Sequence, residues 1–237
     1  MLGIFAKQPI VGTVKTRLAE GTSAEWACRV AEAFLVDTLD RFTQVDVHRA
    51  VVFAPLSATT FFTSLCGIRY ELIAQSGGDL GERLQHFFTL SRQRGHSRIV
   101  AIGSDSPTLP MEYVRSAFDL LADHDVVLGP AFDGGYYLIG CNHHDLPIFT
   151  NIAWSTSRVL EQTVERVRAA SARLALLPPW YDVDTYDDWR MLRGHVRAMR
   201  ASGGEARVAN VERLIWREEE DSKQRQSTKS EERRTNQ

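Results

Sequence analysis

Cysteine is scarce and badly placed for cross-linking. Cys28, Cys66 and Cys141 are odd in number, widely spaced and contain no C-x-x-C pair. That pattern excludes a disulfide framework and a zinc site, and predicts three small buried apolar residues. His143 and His144 are adjacent, would point to opposite faces of a strand, and are read as loop residues. An excess of charge of one sign is missing too. Lys and Arg number 28 against 30 Asp and Glu, a formal net charge of −2, so any phosphate recognition must be local and a polynucleotide partner is not expected. No apolar run approaches the roughly 18 residues that span a bilayer. Met1 leads straight into Leu2-Gly3-Ile4-Phe5 without a basic region or cleavage site, and the expected location is cytoplasmic. Three catalytic signatures are absent. There is no G-x-x-x-x-G-K-[ST] and no G-x-G-x-x-G after a strand, and Gly103-Ser104-Asp105-Ser106-Pro107 lacks the glycine a nucleophile elbow needs.

What remains is ordinary globular material: 237 residues, 43% hydrophobic and 24% charged, enough for one α/β domain with a real core. Strand-like runs at Leu2–Ala6, Val47–Ala54, Ile68–Ala74, Arg98–Gly103, Asp125–Pro130, Tyr136–Cys141 and Leu174–Leu177 alternate with helical periods. The clearest stripes are Ala27, Cys28, Ala31, Phe34, Leu35, Thr38, Leu39 and Phe42, then Leu80, Leu84, Phe87 and Phe88, then Val159, Leu160, Thr163, Val164 and Val167. This predicts a mainly parallel sheet, made mixed by a strand returning after Asp133-Gly134-Gly135. The first strand is expected to be short, because the chain starts at Met1 where a central strand would need several more residues. One domain is expected over residues 1–216. From Arg217 to Gln237 there is no apolar residue and both charge signs mix with Ser, Thr and Gln, the composition of a disordered charged tail.

In open α/β sheets, ligands bind beyond the carboxyl ends of the strands, so polar residues just after each apolar run are the candidates. After the first run, a loop shaped by Pro9 and Gly12 carries Lys7, Lys15 and Arg17, a cation cluster that suits a phosphate cradle. The alternative is that Lys15 and Arg17 are solvated residues of a surface helix. After Ile99–Ile102 come Ser104 and Asp105 in a Pro-limited turn. After Leu174–Leu177 comes Asp182-Val183-Asp184, whose period-two alternation puts both carboxylates on one side, within reach of one ion. Magnesium needs only two or three such acids beside water and phosphate oxygens. Asp184 could equally cap the helix that starts near Thr185. Gln75-Ser76-Gly77-Gly78-Asp79 leads into a helix with Arg83 available for an anion, or with Asp79 as a plain cap. Asp133-Gly134-Gly135-Tyr136 is a second loop of Gly, acid and aromatics, which a hairpin turn explains as well.

Six ordered segments, F-A-K-Q-P-x-x-G-x-V-K-T-R-L, Q-x-G-G-D-L-G-E-R-L, I-G-S-D-S-P-x-L, G-P-A-x-D-G-G-Y-Y-L-I-G, W-S-T-x-x-V-L-x-Q-T and D-V-D-T-x-x-D-W, run from Phe5 to Trp189. In them the chain resembles the radical-SAM/selenodomain-associated transferases of the GT-A nucleotide-diphospho-sugar transferase superfamily. The resemblance implies a Rossmann-like three-layer α/β sandwich and glycosyl transfer. The chain is also similar to 2-phospholactate guanylyltransferases, although Lys7 precedes Pro9 here, a departure from their opening. By that similarity Asp105, Asp182 and Asp184 would hold Mg2+ or Mn2+, while Lys7, Lys15 and Arg17 clamp the polyphosphate, with Pro9, Gly12, Gly78, Asp79, Arg83 and Ser104 also binding the nucleotide and its phosphates. Asp105, Lys15 and Arg17 would carry the chemistry. Asp133, Gly134, Gly135, Tyr136, Ser155 and Thr156 would face the second substrate.

Two reactions are implied. Either a nucleoside-diphosphate sugar passes its sugar to a small-molecule acceptor, or an NTP passes its nucleotide to a phosphorylated small molecule and pyrophosphate leaves. A non-catalytic nucleotide-binding protein is a third reading, and its mark would be missing acids or cations, all of which are present. No motif encodes the base, the sugar, the acceptor or the oligomeric state.

Overall fold

Seven short runs rich in Val, Ile, Leu and aromatic residues form strands, as such residues pack well on a pleated surface. In this computed structural model, which describes residues 1–142, 146–204, 206–218 and 220, they are β1 (Leu2–Lys7), β2 (Arg49–Ala54), β3 (Glu71–Ala74), β4 (Ile99–Gly103), β5 (Val126–Pro130), β6 (Tyr136–Cys141) and β7 (Leu174–Leu176). The helices are α1 (Thr16–Glu20), α2 (Ala24–Phe42), α3 (Thr59–Cys66), α4 (Leu80–Gln93), α5 (Met111–Leu120), α6 (Val159–Ala169) and α7 (Tyr186–Ala201), followed by a helical run at 209–218. The strands make one sheet in the order β3-β2-β1-β4-β6-β5-β7. Only β6 runs against its neighbours, pairing antiparallel with both β4 and β5. The sheet is therefore mixed and mainly parallel, as Asp133-Gly134-Gly135 indicated.

Side-chain alternation builds the layers. Leu2, Ile4, Val51, Phe53, Val100 and Ile102 face one way, beneath Leu35 and Leu39 of α2, Phe62 of α3 and Val114 and Ala117 of α5. Val52, Ile99, Ala101, Val126, Leu128 and Ile139 face the other way, beneath Leu84, Phe87 and Phe88 of α4 and Val167 of α6. The result is a three-layer sandwich. α2 is buried on a second side as well, where Ala27, Val30 and Phe34 meet Leu18 of α1, Trp189, Leu192 and Val196 of α7, and Val211 and Ile215. Trp189 is the centre of that satellite core. It stacks on Phe34 at 6.4 Å and meets Trp26 edge-on at 4.9 Å, contacts worth about 0.5–1.5 kcal/mol each beyond their burial.

Several expectations need correction. The third strand starts at Glu71 and not at Ile68, which sits fully exposed in a turn. Cys66 and Cys141 are buried, but Cys28 is only half-buried on α2. The first strand is not short, since it pairs with β2 along its whole six-residue length. The helical run reaches 218, and Glu218 accepts hydrogen bonds from Trp189 Nε1 and Arg193, so a tail boundary at Arg217 falls inside an element. His143, His144, and residues 219 and 221–237 lie outside the described residues. Among the described residues no helix is long and apolar enough to cross a membrane.

Candidate functional site

The sheet changes winding direction between β1 and β4, since the chain passes outward from β1 to β2 and β3 and then returns to β4 on the other side. Such a switch point opens a crevice at the carboxyl ends of the strands. Here a cleft of about 640 Å³ lies there, lined by Phe5–Lys7 from β1, Thr13–Arg17, Gln75 and Gly78–Leu80 with Arg83, Gly103–Asp105 from β4, Trp154, Ser155 and Asp184. Residues far apart in sequence and singled out by type alone thus converge on one surface.

Lys15 organises its acidic wall. The residue stands at the start of α1 in the left-handed region, at φ 48° and ψ 43°. Its side chain is 5% exposed. Nζ lies 2.6 Å from Asp105 Oδ1 and 2.9 Å from Asp184 Oδ1, and donates to Val183 O at 2.7 Å. Three N–H donors meet three acceptors, leaving none for another ligand. Burial by itself would lower this ammonium, but Asp105 and then Asp184 outweigh it and hold Lys15 above its ordinary value. The Phe34 ring lies beneath Nζ at 5.6 Å, so the satellite core supports the site directly. Arg17, by contrast, is 64% exposed, with Nη1 3.8 Å from Asp184 Oδ2.

Asp182 and Asp184 flank the buried Val183, as alternation along an extended segment requires, and Val183 N donates to Asp105 O at 3.0 Å. This bond pins the acidic segment to the β4 loop. The question of Asp184 as a helix cap is settled by its neighbour. Thr185 is the N-cap of α7, in a reciprocal box with Asp188, so the Asp184 carboxylate is left to Lys15 and Arg17. Asp182 is pushed up to about 6. Burial is the main cause, with the nearby charges of Asp105, Asp133 and Asp184 adding to it against a hydrogen bond from Ser106 Oγ.

The other expected residues divide. Lys7, Gly78, Asp79, Arg83, Ser104 and Ser155 line the cleft. Asp79 caps α4 in a reciprocal box with Glu82, as its alternative reading held. Gly78 has φ 90°, and a Cβ there would fall 1.6 Å from Glu82 Oε2. Arg83 is held in place, with Nε donating to Gly78 O at 3.1 Å and Nη1 to Gln75 Oε1 at 3.2 Å. Pro9 and Gly12 shape the loop between β1 and α1 without lining the cleft. Asp133 forms a turn by accepting from Gly135 N at 2.8 Å, while its charge reaches Asp182. Gly134 has φ 88° and its carbonyl accepts from Leu160 N, docking the start of α6 on the hairpin. The Thr156 hydroxyl is turned to Ala153 O at 2.7 Å. Tyr136 faces a separate cavity of about 120 Å³ beside Phe5 and Leu84, where burial raises its hydroxyl.

The sequence matches the family described as "Uncharacterized protein conserved in bacteria (DUF2064)" over residues 38–156. A crystal structure from Desulfovibrio desulfuricans G20, given as a candidate nucleotide-diphospho-sugar transferase, is 33% identical, with a TM-score of 0.81 over 91% of this chain and 96% of that one. The chain belongs to the DUF2064 family. A cytidylyltransferase from Leptospira borgpetersenii serovar Hardjo-bovis is 11% identical, with a TM-score of 0.52 over 92% of this chain and 94% of that one. At that identity the likeness shows the fold alone, which is the nucleotide-diphospho-sugar transferase fold the motifs implied. No curated protein matches the sequence.

Three parts of the DUF2064 site escape a reading by residue type. Gln75 fixes the second loop by donating to Ala6 O and Val52 O, yet as an amide after a strand it reads as a plain loop residue. Its place at the head of Q-x-G-G-D-L was the available signal. Ser106 acts only through Asp182, and Phe34 lies in a helical stripe that signals core. For a divalent ion, the donor set is right in kind, being hard carboxylate oxygens from Asp105, Asp182 and Asp184. The cleft lining carries Lys7, Lys15, Arg17 and Arg83 against Asp79, Asp105 and Asp184, while Asp182 and Asp133 stand outside that lining. Among the described residues, however, no three His, Cys, Asp or Glu side chains are already spaced around an ion. Lys15 Nζ holds the point where Asp105 and Asp184 converge.

Proposed function

We propose that this DUF2064 protein is a metal-dependent transferase using a nucleotide-activated donor, and that it transfers glycosyl groups from a nucleoside-diphosphate sugar to a small-molecule acceptor. The observation that carries the reading is the 33% identity across 91% of the chain with a relative given as a candidate nucleotide-diphospho-sugar transferase. The cleft agrees in its chemistry. Lys7 and the exposed Arg17 border it and meet the donor's phosphates, Gly78 lets backbone approach the nucleotide, and Asp105 and Asp184 keep Lys15 charged. Ser155 lines the same cleft, and the hairpin of Asp133 and Gly134, whose acid acts on Asp182, receives the acceptor. A Mg2+ or Mn2+ ion held by Asp105, Asp182 and Asp184 supplies, when bound, charge neutralisation for the departing diphosphate. The acceptor hydroxyl attacks the anomeric carbon while Arg17 follows the charge that grows on the leaving oxygen.

A second reading, nucleotidyl transfer to a phosphorylated acceptor, is favoured by the cations lining the cleft: Lys7, Arg17 and Arg83, beside the acid-bound Lys15, suit a triphosphate. A thermal-shift panel of nucleoside triphosphates and nucleotide-sugars, each with Mg2+ and with EDTA, separates the two. A ligand at about 100 times its dissociation constant adds roughly 2.7 kcal/mol, several degrees in a domain of this size. A Mg2+-dependent shift larger for one nucleotide-sugar than for the matching triphosphate supports glycosyl transfer and names the donor. The reverse order transfers the assignment to nucleotidyl transfer, and binding without turnover of any donor leaves a nucleotide-binding protein. Arg17→Ala should weaken the winning nucleotide by about 1.5–3 kcal/mol, the worth of a charge-assisted hydrogen bond, and unchanged affinity by calorimetry would return Arg17 to a solvated helix residue.

A further inference from the structure

Lys15 cannot do two jobs at once. The proposed clamp needs its ammonium on phosphate, but all three N–H donors are spent on Asp105, Asp184 and Val183 O at 2.6–2.9 Å. The two carboxylates are also members of the acid set proposed for the metal. A divalent ion between them would sit against a buried ammonium already touching one oxygen of each, and like charges at that separation repel. Only one cation fits the point where Asp105 and Asp184 converge.

Resting on the metal-dependent reading above, we infer that Lys15 is a tethered cation standing in the metal's place, which a divalent ion displaces and which then turns into the cleft to meet the donor's phosphates. The side chain has somewhere to go. Lys15, Thr13 and Arg17 all line the cleft, and the loop before Lys15 is exposed, with Gly12 at φ 80° and nothing packed against it. The Lys15 side chain does not cap α1, and Asp105, Asp184 and Val183 O are the partners that hold its ammonium where it is. Metal arriving without phosphate strands an ammonium in the cleft, and phosphate arriving without metal strips the acids of their partner. The two ligands therefore bind cooperatively through one side chain.

The test uses the full chain and Mn2+ alone, with free Mn2+ followed by electron paramagnetic resonance. Lys15→Met should bind Mn2+ at least about tenfold more tightly than the wild type, within the usual range of site coupling. Arg17→Met removes the same charge beside Asp184 but leaves Lys15 in place, and should change Mn2+ affinity by less than about threefold, as an exposed charge does. Reductive methylation of the wild type, read by peptide mass, gives a measure that needs no variant. Lys15 should be protected without metal and methylated at saturating Mn2+. Unchanged or weaker Mn2+ binding by a folded Lys15→Met, or continued protection of Lys15 at saturating Mn2+, overturns the inference while leaving the metal-dependent reading intact wherever Mn2+ still binds. If no form binds Mn2+, both fall.

Discussion

Two aspartates at opposite ends of the sheet have opposite surroundings. Asp125, just before β5 at the amino end, is 13% exposed and fully satisfied: Arg173 N donates to it at 2.8 Å, Asn142 Nδ2 at 2.9 Å, and the Arg173 guanidinium at 3.2 Å. The Arg173 side-chain and backbone hydrogen bonds hold its carboxyl well below the usual carboxylate range. Asp182, beyond β7 at the carboxyl end, has Ser106 and the charges of three other acids around it, and is pushed up to about 6. The first arrangement ties the segment entering the edge strand β7 to β5. The second gathers like charge around a buried carboxyl, the kind of perturbation that clusters at functional sites.

That contrast breaks most sharply at the acids that line the cleft. Asp105→Asn should cut transfer by more than about a hundredfold, the scale on which lost electrostatic stabilisation of a transition state registers. The variant should still fold, with a melting temperature lowered by a few degrees, since the buried Lys15 ammonium keeps Asp184 and Val183 O but loses its nearest carboxylate. Single-turnover rates with the identified donor check this, and a normal rate removes Asp105 from the mechanism. Asp125→Ala should do the reverse, lowering stability by about 2 kcal/mol because Arg173 N and Asn142 lose their acceptor. Urea unfolding measures the loss, and kcat should not move. A large kcat effect from Asp125 would mean that the two ends of the sheet are not independent.

The sequence reveals more of this site than its spacing alone suggests, because the fold places chemistry at strand ends and the strand ends were readable. Each apolar run gave a strand, with boundaries off by up to three residues, and Asp133-Gly134-Gly135 marked the return of β6. What the sequence hid depends on partners distant in the chain. Lys15 reads as a phosphate ligand from its loop, and its commitment to Asp105 and Asp184 appears only when segments nearly 170 residues apart meet. Val30 and Ala33 fall outside the helical stripe of α2 because nothing local shows that α7 and the run at 209–218 cover its second side. The cap of α7 was ambiguous between Asp184 and Thr185 until Asp188 was seen to close the box with Thr185.

Asp182→Asn tests the smallest and most specific part of the contrast, in metal-free protein with EDTA present. A carboxyl whose folded value is raised to about 6 takes up a proton in the native state before it does in the unfolded chain. Between roughly pH 4 and 6 the folded form therefore binds more protons, and this group makes the protein less stable as pH rises. The penalty is absent below about pH 4, complete above about pH 6, and at most on the order of 3 kcal/mol from the size of the shift. An asparagine keeps an acceptor for the Ser106 hydroxyl and carries no charge, but brings an amide donor that needs a partner. The variant should then gain about 1–2 kcal/mol, a few degrees in melting temperature, at pH 7.5, and nothing at pH 4. Asp125→Asn should show the opposite slope, with a stability loss present above pH 4 and vanishing as pH falls through the depressed value of the native acid. Parallel pH profiles for the two variants would mean that Asp182 is as well compensated as Asp125, and that the gathered charge at the cleft is not what sets it apart.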